Sequence, residues 1–259
     1  MSENFLFLFV FFVFGAVVGS FLNVCIYRIP EGGSVVTPPS ACPNCSHEIR
    51  WYENIPLVSF VFLRGRCSSC CARIPLRYPM VEALSGVVFA LVFDTFGFSW
   101  STFCFLVFSA LLLVVTFIDL DHQVVPDVIS LPGIAVGFTF SFLVPWVGWL
   151  DSFLGILLGG GILLIIACCY ELLAKSEGMG GGDIKLLAMI GAFLGWKAIF
   201  PVIFFSSLAG TVAGVPLMLL SPRRGKVAIP FGPFLSLGAL VYLFWGPKIL
   251  RWYFSLYSP

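Results

Sequence analysis

Two pairs of cysteines have the spacing of a metal site. Cys42 and Cys45 form one C-x2-C pair, Cys67 and Cys70 form another, and 21 residues lie between them. Two such pairs can place four thiolates around one tetrahedral zinc ion. A four-thiolate site leaves no open position for water, so the spacing predicts a structural metal. Cys71 is an alternative to Cys70 as the fourth ligand. Disulfides are the competing interpretation, which a reducing cytoplasm disfavours.

Acidic residues in two separate segments form the second candidate for chemistry. Asp119, Asp121 and Asp127 lie at and beyond the end of an apolar run, and Asp183 directly follows three glycines, residues 180–182. If two carboxylates approach closely, one keeps its proton while the other activates water. The glycines before Asp183 permit close backbone packing or positive φ angles. These residues alone leave an aspartyl protease and an ion pathway as alternatives.

Simpler roles compete for several of these residues. Asp127 opens an apolar run, which favours a helix N-cap over a catalyst, and Asp183 is open to the same interpretation. Asp121 and His122 can simply face an aqueous loop. Lys185, two residues after Asp183, can lower the pKa of that carboxyl or extend to the lipid headgroups.

The elements that position these residues are strongly apolar. Of the 259 residues, 59% are hydrophobic and 10% are charged, and the mean hydropathy is +1.04. Too few polar residues remain to coat a water-soluble globule, which excludes a soluble enzyme, a disordered chain and a secreted disulfide scaffold. We therefore predict an all-α polytopic integral membrane protein. The net charge of +1 provides no basic field for nucleic acid.

Eight apolar runs are candidate membrane spans. They cover residues 5–27, 81–98, 101–118, 128–147, 152–173, 184–196, 199–220 and 231–247. The sixth run is short, so it is either re-entrant or shielded by neighbouring helices. We expect three regions: a first transmembrane helix (1–27), a small cytoplasmic zinc-binding domain (28–80) and a membrane core with seven further spans (81–259).

The distribution of cations predicts the orientation. No Lys or Arg precedes the first apolar run, so we interpret it as a retained anchor with its N-terminus outside rather than a cleaved signal peptide. With that orientation, 11 of the 14 Lys and Arg residues lie on the inner side. The cysteine loop and both acidic segments then face the cytoplasm.

Six segments resemble the type IV prepilin peptidases, the bifunctional leader peptidase/N-methyltransferases of pilus and type II secretion systems. In chain order they are GSFLNVCIYRIP (19–30), NIPLVS (54–59), RYPMVE (77–82), IDLDHQVVPD (118–127), EGMGGGDIK (177–185) and PFGP (230–233). The resemblance covers nearly the whole chain in order.

The resemblance implies an eight-helix protein of the bacterial inner membrane whose site opens to the cytoplasm. It implies that Asp119 and Asp183 are the catalytic aspartates, with Gly180, Gly182 and Lys185 as supporting motif residues. It implies cleavage of a short basic leader after Gly, ahead of the apolar helix of a prepilin or pseudopilin. The new N-terminal amine, usually of Phe, would then be methylated with S-adenosylmethionine.

The resemblance also has gaps. It gives no residues that bind the methyl donor. The glycines at 180–182 are not a dinucleotide-binding fingerprint, because no strand precedes them. The roles of acid and base within the aspartate pair stay open. Glu31, Glu48 and Glu53 are candidates to contact the basic leader. An ion-coupled transporter and a zinc-anchored scaffold without catalysis are the alternative functions.

Overall fold

The computed structural model describes residues 2–174, 180–220 and 229–255, and helices dominate these ranges. The α-helices, in chain order, are α1 (Ser2–Arg28), α2 (Val58–Phe62), α3 (Arg77–Phe96), α4 (Trp100–His122), α5 (Asp127–Phe140), α6 (Trp149–Ala174), α7 (Gly181–Leu194), α8 (Ile199–Leu220) and α9 (Gly232–Ser255). Short 3-10 helices occupy Trp51–Asn54 and Trp196–Ala198. In the described part of the chain, β pairing is limited to two isolated bridges. The all-α prediction is confirmed.

Five of the described helices contain a segment long and apolar enough to cross a membrane. These segments are Asn4–Arg28, Arg77–Phe96, Trp100–His122, Trp149–Leu172 and Trp196–Pro216. Each of the eight predicted runs overlaps one of the long helices, and the total of eight spans stays a prediction.

Several predicted run boundaries differ from the helix ends, and three of these differences are informative. The third run was expected to end at residue 118, but α4 continues to His122, because polar residues at an aqueous end are compatible with a helix. The fourth was expected to reach residue 147, but α5 ends at Phe140, ahead of turns around Pro145. The eighth was expected to end at 247, but α9 continues through Pro247 to Ser255.

The chain divides into two compact units, residues 1–102 and 103–259. In the first unit, α1 packs closely along α3. A Cβ atom added to Gly15 would lie 2.6 Å from the carbonyl oxygen of Ser85, and one added to Gly86 would lie 2.9 Å from that of Phe12. Small residues at these positions let the two backbones approach, as is common between membrane helices. The cysteine-containing module lies between these two helices in sequence.

In the second unit, the short helix α7 is surrounded by its neighbours. All residues from Leu186 to Leu194 are buried. The backbones of α6 and α7 are in direct contact at Gly155 and Gly191, and α5 contacts Phe193 through Gly137. Of the two interpretations of the short sixth run, the structure therefore shows shielding by neighbouring helices.

Candidate active site

Asp119 lies in the last turn of α4, where the chain turns towards α5. Gln123 ends the helix with a φ of 54°, and its amide donates to the Asp119 carbonyl oxygen over 2.9 Å. Pro126 then stands at the N-cap of α5. The Asp119 residue is only 4% exposed. The α4–α5 turn, which we define as residues 123–126, therefore begins four residues after a buried carboxyl group.

The N-terminus of α9 holds the Asp119 side chain. The amide of Gly232, the first residue of α9, donates to Asp119 Oδ2 over 2.9 Å. A Cβ atom on Gly232 would lie 2.6 Å from the same oxygen, so a larger residue cannot sit there without displacing the carboxylate. The first amides of a helix lack intrahelical acceptors and suit a carboxylate. We gave Gly232 no role from sequence, although a glycine between two prolines signals a constrained turn.

Asp183 lies in the first turn of α7, beside the α4–α5 turn. Gly180 is the N-cap of this helix, so the N-cap interpretation of Asp183 is wrong. A Cβ atom on Gly182 would lie 2.8 Å from Val125 Cβ and 3.3 Å from the Val125 amide nitrogen. This close contact brings together the two segments that carry Asp119 and Asp183.

The two carboxyl groups interact electrostatically. Asp183 lies outside the five membrane-crossing segments and is half-buried. Burial first, and then the negative charge of Asp119, raise the pKa of Asp183 to about 6. Two carboxyls that repel each other in this way can share one proton, so that one serves as acid and the other as base towards water.

Lys185 pairs with Asp127, and the first of its two predicted roles, lowering the pKa of Asp183, is wrong. Its Nζ lies 2.6 Å from Oδ1 of Asp127, and the pKa of Asp183 is raised rather than lowered. Asp127 is the first residue of α5 and Pro126 is the N-cap, so the N-cap prediction for Asp127 is also wrong. The two side chains are 38% and 58% exposed, so this ion pair contributes about 0–1 kcal/mol at most. It links the start of α5 to the second turn of α7.

The glycines before Asp183 differ in their surroundings. Gly182 is in close contact with Val125, whereas Gly180 and Gly181 have no atom within 4 Å of an added Cβ. None of the three is among the glycines with positive φ. The structure therefore provides a packing reason for glycine only at position 182.

The four predicted cysteine ligands form one cluster. The Sγ atoms of Cys42, Cys45, Cys67 and Cys70 all lie within 4.8 Å of one another. The separations between Cys42 and Cys70 and between Cys45 and Cys67 are 3.8 and 3.9 Å. A tetrahedron with zinc–sulfur bonds of about 2.3 Å has edges of about 3.8 Å, so the residues fit a metal. Cys71 is exposed and lies outside the cluster, so Cys70 is the fourth member.

Side chains around the cluster join its two halves. The side-chain amide of Asn44 donates to Cys70 Sγ over 3.6 Å. Glu53 Oε2 accepts from the Arg50 amide over 3.0 Å and lies 3.1 Å from His47 Nε2. Hydrogen bonds lower the pKa of Glu53 to about 2. The backbone amide of Arg50 has the largest effect, followed by the hydroxyl of Ser68.

Glu53 is therefore a poor candidate to contact a basic leader. Its side chain is 11% exposed and already contacts His47, which follows the first cysteine pair, and Ser68, which lies within the second. Glu31 and Glu48, the other two candidates, are exposed. The sequence provided no signal for the contact between Asn44 and Cys70, which follows from the way the two cysteine turns meet.

Comparisons with known proteins cover both units. Residues 13–96 match the Bacterial Peptidase A24 N-terminal domain, and residues 105–215 match the Type IV leader peptidase family. The chain is 38% identical to the prepilin leader peptidase/N-methyltransferase of Aeromonas salmonicida (strain A449), over 94% of this chain and 92% of that protein. It is 39% identical to the Aeromonas hydrophila protein of that name over the same shares, and 38% identical to that of Pseudomonas aeruginosa over 92% and 90%.

No solved structure matches the chain. The curated relatives nevertheless match over nearly their whole length, and both Asp119 and Asp183 lie within the matched peptidase region. The resemblance drawn from six short segments is confirmed, and the chain belongs to the prepilin leader peptidase/N-methyltransferase family of membrane enzymes.

Proposed function

We propose that this enzyme removes the short basic leader of type IV prepilins and type II pseudopilins after a Gly, and then methylates the new N-terminal residue, usually Phe. Asp119 and Asp183 are the proposed catalytic pair. The observation that carries the proposal is the contact between Gly182 and Val125, which brings two acid-bearing segments together and leaves the charge of Asp119 within reach of Asp183.

The cleavage step needs one proton shared by the two carboxyls. The ionised carboxylate takes a proton from water as the water oxygen attacks the scissile carbonyl carbon. The other carboxyl donates its proton to the departing amide nitrogen as the C–N bond breaks. The two groups exchange roles through the cycle, and Gly232 keeps Oδ2 of Asp119 in place throughout.

The cation distribution supports an orientation with the N-terminus outside and the acids at the cytoplasmic face. Six of the inner cations lie in residues 28–80, and Lys185 lies two residues from Asp183. Lys175, Arg223, Arg224 and Lys226, which also count towards this orientation, lie outside the described residues. A site at this boundary suits a substrate with a basic leader in water and an apolar helix in lipid.

We propose that the cysteine cluster holds a structural Zn²⁺ and that residues 28–80 form the domain it stabilises. The four-thiolate set supports this role, since it is closed to water and substrate. The methylation step uses S-adenosylmethionine, which when bound supplies a methyl group. The neutral N-terminal amine forms the new C–N bond as the C–S bond breaks, and the methylated amine then loses a proton.

The test uses purified protein in detergent, a synthetic prepilin peptide and S-adenosylmethionine, with products read by mass spectrometry. We expect loss of the leader and the gain of one methyl group. Asp119→Asn and Asp183→Asn should show neither change, because each removes one carboxyl of the pair. Asp94→Asn, an exposed acid in α3, is the matched control and should behave as the wild type. Full-rate cleavage by either variant of the pair would refute the catalytic assignment.

A further inference from the structure

A cavity of about 250 Å³ lies in the second unit, at the end of α7 that is remote from Asp183. Leu194, the last residue of α7, lines it, and about 16 Å of helix separates that residue from Asp183. Helix α9 runs away from Asp119 in the same way, from its start at Gly232 to Tyr242 in the cavity wall. Leader cleavage as proposed above therefore gives this cavity no role.

The cavity lies where two membrane-crossing segments begin. Asp151 is the third residue of the segment Trp149–Leu172, and it lines the cavity. Lys197 is the second residue of the segment Trp196–Pro216 and lines the cavity as well. Trp146 is a further part of the lining, and tryptophan is enriched at the level of the lipid headgroups. These positions indicate a cavity at headgroup level, on the face of the membrane opposite to the acids.

The indole ring of Trp196 contacts an acid at its edge and a cation over its face. Its Nε1 donates to Asp151 Oδ1 over 2.8 Å, and Lys197 Nζ lies 5.8 Å from the ring centre. Among the described residues, Oδ2 of Asp151 has no hydrogen-bond donor, and no ion pair joins Asp151 to Lys197. Asp151 lies in the first turn of α6, where a helix N-terminus favours the charged carboxylate. The cavity wall therefore presents one negative and one positive charge that do not neutralise each other.

Tyr242 adds a hydrogen-bond donor to this wall. The residue is only 6% exposed, and it lines the cavity from α9. Its hydroxyl has no hydrogen-bond partner among the described residues. A buried polar group without a partner costs free energy, which a ligand with an acceptor atom in the cavity would recover. The ligand that matches the wall thus carries a cation for Asp151 and an anionic acceptor for Lys197 and Tyr242.

We propose that this cavity binds the headgroup of phosphatidylethanolamine. The primary ammonium donates to Asp151, and the phosphate oxygens accept from Lys197 and Tyr242. Phosphatidylcholine has no N–H group to donate, and phosphatidylglycerol has no cation to face the carboxylate, so each matches only part of the wall. Cavities for drug-sized ligands measure about 300–1,000 Å³, and this smaller one suits a headgroup whose acyl chains stay in the bilayer. The proposal goes beyond leader cleavage and does not rest on it.

The experiment measures lipid binding by the full-length protein. Protein purified in detergent is titrated with phosphatidylethanolamine, phosphatidylglycerol and phosphatidylcholine of identical acyl chains, and native mass spectrometry gives a Kd for each. We expect phosphatidylethanolamine to bind about tenfold more tightly than either of the others, because each of them loses one charge-assisted hydrogen bond. It should also raise the unfolding midpoint more than they do, since a ligand that binds the folded state stabilises it.

Two variants test the recognition, each with a matched control. Asp151→Asn keeps an acceptor for the Trp196 indole but removes the charge, and should abolish the preference for phosphatidylethanolamine over phosphatidylglycerol. Tyr242→Phe should weaken the binding of all three lipids by about fivefold, because all three contain the phosphate. The controls are Asp94→Asn and Tyr170→Phe, which alter exposed residues outside the lining and should bind as the wild type does.

The unfolding midpoint without added lipid establishes that each variant is folded, and Tyr242→Phe carries the test if Asp151→Asn does not fold. Equal Kd values for the three lipids on the wild type would overturn the proposal and indicate general contact with bilayer lipid. A preference for phosphatidylglycerol, or a preference for phosphatidylethanolamine that survives in folded Asp151→Asn, would also overturn it. Unchanged binding by folded Tyr242→Phe would overturn the assigned phosphate contact and the proposed site with it.

Discussion

Replacement of Gly182 by Ala is expected to disable leader cleavage without unfolding the protein. The added Cβ would lie 2.8 Å from Val125 Cβ, 3.2 Å from Val125 Cγ2 and 3.3 Å from the Val125 amide nitrogen. Carbon atoms in contact prefer separations of about 3.5–4.0 Å, so the first turn of α7 must move away from the α4–α5 turn by roughly 1 Å.

The helix itself does not resist this substitution. Alanine is more favourable than glycine in a helix interior by about 1 kcal/mol, so α7 persists and Asp183 moves with it. A misplacement of about 1 Å can lower a catalysed rate by roughly 100-fold. We therefore expect kcat for leader cleavage to fall by about that factor, with the zinc content unchanged. The assay follows release of the leader from a prepilin peptide over a range of concentrations, so that kcat and KM are separated.

The neighbouring residue provides a matched control. Gly181 lies in the same turn and has no atom within 4 Å of an added Cβ, so Gly181→Ala should cleave at nearly the wild-type rate. Combining Gly182→Ala with Val125→Gly removes both clashing carbons, leaves only the contact with the amide nitrogen, and should recover part of the activity. Equal rates for Gly181→Ala and Gly182→Ala would show that the contact with Val125 does not position Asp183.

Three other predictions follow from the acid pair and the cysteine cluster. Gly232→Ala should lower kcat for leader cleavage by about 100-fold, because its Cβ would lie 2.6 Å from Asp119 Oδ2. The value of kcat/KM should fall as the pH rises through about 6, because Asp183 holds its proton below its pKa and loses it above, and the shared proton is then absent. Cys42→Ser should lose zinc and lower the unfolding midpoint, whereas Cys71→Ser should keep one zinc per chain, both measured by elemental analysis and thermal unfolding.

Each of these predictions has a contrary outcome. Gly161 in α6 has no atom within 4 Å of an added Cβ, so a Gly232→Ala enzyme as active as Gly161→Ala would refute the role of the Gly232 contact. The range from pH 5 to 8 extends from about one unit below the pKa of Asp183 to about two units above it. A kcat/KM that stays constant or rises over this range would exclude a proton shared by the pair. Loss of zinc from Cys71→Ser would contradict the composition of the cluster.

Local patterns predicted the cysteine site and the apolar helices well. A C-x2-C pair forms a turn that depends on few residues outside it, and two pairs in one chain leave few ways to build a closed site. Spacing favoured Cys70 but left Cys71 as an alternative, and the structure places Cys70 in the cluster. Cys71 takes a φ of 59°, as Ser46 does at 57° after the first pair, and this turns both residues out of the cluster.

Contacts between residues far apart in sequence could not be predicted from local patterns. Lys185 binds Asp127, 58 residues earlier, and Gly232 binds Asp119 across 113 residues. Which cation meets which acid depends on how α5, α7 and α9 pack, so the partner of Lys185 could not be predicted from its proximity to Asp183 in sequence. The predicted third span ended at the first polar residue after its apolar run, so the prediction omitted the last turn of α4.

The same helix packing sets the protonation balance on which the proposed catalysis depends. Burial first, and then the negative charge of Asp119, raise the pKa of Asp183 to about 6, close enough to neutral pH for a proton to move on and off during each cycle. A fully solvated acid would lack the proton. The N-termini of α7 and α9, which lie at Asp183 and at the Asp119 side chain, favour the charged carboxylate that must act as the base. The short, shielded helix α7 therefore has a chemical consequence, since it brings a helix N-terminus and an acid to the same half-buried position.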